Sequence, residues 1–276
     1  MSRHAPRTAS QRYGWAATVV VASLVLVFLM APILAIMPLS VSSGSYLTYP
    51  LPGFSLRWYE EFVTSERWMR SLENSLIIGV AATVLSMVLG TLAALGLAQW
   101  KSRLKTLVLA VVLSPMVVPL VITAVGLYFF FAPLGLTGSY LGLVLAHTAL
   151  ATPFVVITVS ATLQGFDTNL ARAAASLGAP PLHAFRRVTL PLIAPGMASG
   201  ALFAFATSFD EVVVVLFMAG PDQRTLPREM FSGIRENISP TITAAAVILT
   251  VFSVLLLATL EWLRRRSERL RGLDGR

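Results

Sequence analysis

Six stretches of the chain, residues 15–37, 72–99, 104–132, 139–163, 192–219 and 241–263, are predominantly apolar. Each reaches the roughly 20 residues that a helix needs to cross a hydrocarbon core about 30 Å thick. No other feature restricts the fold so strongly. Inside a bilayer every backbone N–H and C=O must find its partner within the protein, and helices satisfy their own. Composition agrees: the chain is 56% hydrophobic and 12% charged, with a mean hydropathy of +0.76, outside the range of soluble domains. The fold class expected is all-α integral membrane, with six transmembrane helices.

A basic tail followed by an apolar run also describes a signal peptide. The 15–37 run is longer than the roughly 7–15 residues of a signal core, and Met37-Pro38-Leu39-Ser40 makes a poor small-residue cleavage site. We read it as a retained helix. Orientation follows from Arg and Lys. With the N-terminus inside, the inner segments hold both lysines and most of the arginines, including Arg3, Arg7, Arg12, Lys101, Arg103, Lys105, Arg172, Arg186, Arg187 and those of the 264–276 tail. The outer segments hold Arg57, Arg67, Arg70, Arg224, Arg228 and Arg235. The positive-inside rule places both termini in the cytoplasm. The net charge of +8 is then explained by flanks that face anionic lipid, and requires no nucleic acid.

Several chemistries are missing from the sequence. The chain has no cysteine, which removes disulfides, thiolate metal sites and cysteine nucleophiles. His4, His147 and His183 fall in a tail, a span and a loop, without ligand spacing. A phosphate-cradling loop needs Gly-Lys, yet Trp100 precedes Lys101 and Leu104 precedes Lys105. No Ser/His/Asp grouping stands out. The expectation is a non-enzyme without cofactor or metal.

The polar segment 170–191 is shaped where a plain turn would suffice. Asp167, Thr168 or Asn169 suits the cap of a short helix through Leu170, Arg172, Ala173, Ala174 and Leu177, with Gly178 at its left-handed exit. Pro180 or Pro181 opens a second helix, and Pro191 stops it. By itself this reads equally well as an interfacial helix pair or as a grip for a cytoplasmic partner.

The segment resembles the EAA loop of permease subunits of bacterial ABC importers, whose pattern is Glu-Ala-Ala, three residues, Gly, nine residues, Ile-x-Leu-Pro. Ala173, Ala174, Gly178, Leu190 and Pro191 match at the right spacing, while Arg172 stands at the glutamate and Val188 at the isoleucine. FSLRWYEEF (54–62), NSL (74–76), LAHT (145–148), SFDEVVVVLFMAGP (208–221) and TLPREMFSGIRENISPTITA (225–244) are similar to permeases of the spermidine/putrescine family. The resemblance implies a type I ABC importer permease (MetI-like) fold. It divides the chain into a cytoplasmic tail 1–14, a first helix 15–37, a periplasmic loop 38–71, a transmembrane core 72–263 with its coupling loop at 164–191, and a basic tail 264–276. It also implies partners: a cytoplasmic ATP-binding subunit gripping Leu170, Arg172, Ala173, Ala174, Gly178, Leu190 and Pro191, a second permease, and a periplasmic substrate-binding protein. The cargo implied is a polyamine; thiamine or a ferric complex on the same architecture is the runner-up.

Asp210 and Glu211 interrupt the fifth apolar stretch, where a carboxylate costs about 2.5–3.5 kcal/mol. One reading lines a translocation path with the pair, together with Thr207 and Phe217 on neighbouring helical turns; the other pairs it internally. Adjacent helical side chains diverge by about 100°, so one of the two faces a given path. His147 suits a hydrogen-bonded packing role or a proton relay. Gly196-x-x-x-Gly200 suits close helix packing, and Pro115 and Pro119 suit a kink in the third stretch. Residues 56–71, with Tyr59, Phe62 and Trp68, and residues 226–237, with Met230, Phe231 and Ile234, suit surface helices that anchor in lipid or dock the binding protein. An ion-coupled carrier using Asp210, Glu211 and His147, and a membrane scaffold, are the competing classes; the first usually shows an internal repeat, and none stands out here.

Overall fold

The computed structural model describes residues 9–164, 169–236 and 238–270. The chain is helical nearly throughout. Helix α1 (Ala9–Ile36) runs into a 3-10 turn at Met37–Val41, and a looped segment follows to α2 (Arg57–Thr64) and α3 (Glu66–Gln99). Next come α4 (Leu104–Val117), α5 (Leu120–Phe131) and α6 (Tyr140–Gln164). A short pair, α7 (Asn169–Ser176) and α8 (Pro181–Ala184), leads through a π turn at Phe185–Thr189 to α9 (Leu190–Phe209) and α10 (Val213–Met218). Finally α11 (Leu226–Glu236) precedes α12 (Pro240–Leu270). Five helices are each long and apolar enough to cross a membrane, and α4 with α5 accounts for the sixth apolar stretch.

The core is the triple contact of α3, α6 and α9. Helices in lipid gain little from burying apolar surface, so close approach through small residues must hold them together. Gly196 and Gly200 do this: a Cβ on Gly196 would lie 2.8 Å from the Thr158 carbonyl oxygen, and one on Gly200 would lie 3.1 Å from Val155 Cα. Gly90 of α3 meets the same stripe of α6, where an added methyl would lie 2.7 Å from Val155 Cβ. The Gly-x-x-x-Gly spacing is therefore a packing seam against α6. Gly196→Ala is expected to destabilise the chain by about 1–3 kcal/mol, as overpacking does, and to lower its thermal aggregation temperature in detergent. An unchanged temperature would count against the seam.

Helix α1 behaves differently. Its apolar window is unburied, and its main packing is with the turn that follows it.

Three expectations need correction. The third stretch, 104–132, is not one kinked helix: α4 and α5 meet at 109°. Pro119 disfavours helical backbone at the residue before it, and Val118 is extended with ψ 134°; Pro115 stays within α4. The fifth stretch, 192–219, is also not one helix. It begins upstream: where a stop was expected, Pro191 is the second residue of α9, and the helix runs without a break from Pro181 through the π turn to Phe209. It ends early, because Phe209 closes α9 and α10 is a separate short helix. Third, Phe62 and Trp68 are not outward anchors. They are 2% and 3% exposed and pack with Leu226, Ile242 and Ala245, because Ser65 takes an extended conformation and breaks the expected 56–71 helix, folding α2 back over the ends of α3 and α12.

Candidate functional site

The break between α9 and α10 separates the two acids. Glu211 is buried at 6% exposure, and its Oε1 accepts the Val214 N–H at 2.8 Å. It satisfies a first-turn donor of α10 that has no intrahelical partner. Asp210 follows the last residue of α9 as its C-cap and opens into a groove between α9 and α12 of about 280 Å³, lined with Phe205, Phe209, Pro227, Leu249 and Phe252. Among the described residues no cationic side chain pairs with it. Of the two acids, Asp210 is the one that lines this groove. Thr207 and Phe217 do not line it with Asp210. Their expected neighbourhood assumed helical turns running past residue 210, and the helix ends before it.

His147 of α6 is fully buried, and its Nδ1 shares a hydrogen bond of 2.7 Å with Ser208 Oγ. This ties the last turn of α9 to α6, two residues before Asp210. Its Nε2 has no partner among the described residues. Behind it, α10 packs on α5 and α6 through Val214, Val215, Met218, Ala124 and Leu143, so the broken third and fifth stretches support one another.

At one end of these helices a polar network straps the 219–229 segment down, and sequence reasoning did not find its centre. Asn74 Nδ2 donates to the carbonyls of Asp222 and Arg224 at 2.8 and 2.9 Å, and its Oδ1 accepts from Tyr140 Oη at 2.7 Å. Ser75 Oγ accepts the Leu226 N–H at 2.8 Å. Glu229 is 1% exposed and faces Arg67 Nε at 3.1 Å and Arg224 Nη1 at 3.7 Å. Burying a carboxylate is costly without such partners. Arg228 donates to the carbonyls of Ala219 and Gly220; burial lowers its pKa, Arg224 adds to that, and Glu229 opposes it. The available signal was Asn74 itself, a fully polar side chain opening an apolar stretch.

The 169–191 segment forms as the residue types require. Gly178 has φ +82°, its N–H reaches the Ala175 carbonyl at 2.9 Å, and the Ala179 N–H reaches that of Ala174 at 3.1 Å. These are the two bonds of a Schellman termination. Ala173 is exposed and Ala174 half-buried, and Leu190 and Pro191 lie at the start of α9. The expected caps Asp167 and Thr168 lie outside the described residues, as does the side chain of Arg172. Leu177, 89% exposed, Leu182, 61%, and Leu170, 48%, form an apolar rim on the pair. Leu177, at the corner, is the most exposed of the three.

Among the described residues no cluster of His, Asp and Glu could hold a metal ion. Residues 86–269 match the family described as binding-protein-dependent transport system inner membrane component. The chain is 31% identical over 222 residues to the spermidine/putrescine transport system permease protein PotC of Shigella flexneri, covering 80% of this chain and 84% of that protein. It is 33% identical over 255 residues to the putrescine transport system permease protein PotI of Escherichia coli (strain K12), covering 90% of each. A solved bacterial ABC transporter involved in the import of the acidic polysaccharide alginate shares the fold, with a TM-score of 0.72 at 16% identity over 92% of this chain and 96% of that one.

Proposed function

Because the chain belongs to the family of binding-protein-dependent transport system inner membrane components, we propose that it is the permease of an ATP-driven importer that carries spermidine or putrescine across the cytoplasmic membrane. Two relatives named for those cargoes align with most of its length. The observation that carries the reading is Asp210, a carboxylate without a cationic partner among the described residues, opening into an apolar groove. A charge left in such surroundings is costly, and a passing polycation offsets that cost.

Energy enters from a separate ATP-binding subunit. Its dock is the 164–191 segment, where Leu170, Arg172, Ala173, Ala174, Gly178, Leu190 and Pro191 make the shaped part and the exposed leucines add apolar contact. A second permease completes the pathway, since α1 and much of the groove side of this chain are unburied. A periplasmic binding protein delivers cargo to the end carrying α2 and α11. In the pathway Asp210 is the residue that meets cargo; Glu211 holds α10 in place, and Thr207 and Phe217 flank the break.

Uptake of labelled putrescine and spermidine by proteoliposomes containing the complete set of subunits tests this. Saturable, ATP-dependent accumulation is expected. Accumulation of thiamine or a ferric complex in its place would overturn the cargo.

A further inference from the structure

We infer that the groove between α9 and α12 is a binding site for a primary ammonium group and its alkyl chain, with Phe205, Phe209 and Phe252 as an aromatic wall and Asp210 as the counter-charge. The inference rests on the polyamine reading and assigns the residues that would discriminate its cargo.

The three rings form one cluster. Phe205 and Phe209 stack at 5.2 Å and 21°, and Phe252 of α12 leans on both, at 6.2 Å from Phe205 and 5.4 Å from Phe209. All three line the same groove as Asp210. The faces of such rings carry negative potential and attract organic cations. Phe205 is held in place from behind: a Cβ on Gly79 of α3 would come within 3.2 Å of Phe205 Cε2, so the glycine lets the ring seat against the α3 backbone. Pro227 bounds the outer end and Leu249 the α12 side.

Ordinary aromatic packing would account for the rings but not for the acid beside them. A carboxylate opening onto an apolar wall favours a cation that can shed water and also present methylenes. A metal ion fits poorly, because the groove offers one carboxylate and no ring of further oxygens. An anion is repelled. The groove volume of about 280 Å³ lies near the small end of ligand sites, suiting an alkylammonium arm better than a bulky chelate.

The chain has no cysteine, so Ser253→Cys places a unique thiol of this chain on the groove lining. In the complete importer, reconstituted in proteoliposomes, it is labelled with methanethiosulfonates carrying either a trimethylammonium or a sulfonate group, with rates normalised to a free thiol in water. The cationic reagent is expected to react faster by about tenfold, as a cation facing one uncompensated carboxylate and aromatic faces should. Phe252→Leu keeps apolar bulk and lowers the ratio by about two- to fivefold, the range of a solvent-accessible cation–π contact; Phe252→Tyr keeps the ring and the ratio. Equal normalised rates, a ratio indifferent to Phe252→Leu, or a thiol inert to both reagents overturns the site. If the ratio behaves as expected while putrescine uptake is absent, the cargo reading fails and the cation site stands. If uptake is intact and the ratio is flat, the site fails and the cargo reading stands.

Discussion

Replacing Gly178 with valine and Ala174 with tryptophan is expected to lower ATP-driven uptake by about 30-fold or more, the equivalent of one interfacial hot spot of roughly 2 kcal/mol, while the chain still reaches the membrane. Gly178 has φ +82°, and apart from its chain neighbours no atom of the described residues lies within 4 Å of where its Cβ would be. The penalty of valine is thus one of backbone conformation: a β-branched residue in the left-handed region strains the corner by more than the roughly 1–2 kcal/mol typical of L-residues. That strain undoes the Schellman bonds from Gly178 and Ala179 and re-aims Leu177, the most exposed leucine on the segment. Tryptophan at half-buried Ala174 then wedges the helix away from any close-fitting surface. The glycine contacts of the α3, α6 and α9 seam involve neither residue and should be unaffected. Co-purification of the ATP-binding subunit with the complex is the measurement. Retention of that subunit at the unsubstituted level, with uptake intact, would remove the coupling role from this segment and favour a carrier energised in another way.

The second large effect is expected at the acidic pair, and it is asymmetric. Asp210→Asn should reduce putrescine uptake by about 10- to 100-fold, the worth of roughly 1.5–3 kcal/mol for a hydrogen bond to a charged group. The complex should assemble normally, because Asp210 supports no ion pair among the described residues. Glu211→Gln should leave uptake within a few-fold of normal, since an amide oxygen can still accept the Val214 N–H. Glu211→Ala removes that acceptor and should cost about 0.5–2 kcal/mol of stability, read as a lower melting temperature in detergent. Uptake assays beside thermal melts of the three variants separate the roles. If Asp210→Asn transports normally, the groove is not on the path of the cargo.

Much of this was legible in the residues. Gly178 could be placed at a left-handed exit because few other residues tolerate that backbone cheaply, and the α7 termination depends on nothing outside a run of six residues. Gly196 and Gly200 announced a close approach by their spacing on one helix face. What the sequence could not supply was the partner surface, Thr158 and Val155 of α6, because packing partners are chosen in three dimensions. The helix ends were misjudged for a similar reason. Residues 210–219 are as apolar, apart from the acid pair, as a continuing helix would be; the break exists because Glu211 turns inward to cap α10, and α10 has α5 to pack against. Local propensity carries no information about either. Asn74 and Glu229 are another case: each satisfies groups about 150 residues away in the chain, or on a different helix, and nothing near them in the sequence indicates it.

The sequence by itself therefore determined the solvent the chain lives in, its helical class, the glycine corner of 170–191 and the presence of a costly acid pair. Those follow from transfer energies and from backbone sterics, which act residue by residue. The tertiary structure alone decided which acid is exposed, that three phenylalanines from two helices share its groove, and that Phe62 and Trp68 are core. Those depend on which surfaces meet, and burial is a property of the meeting.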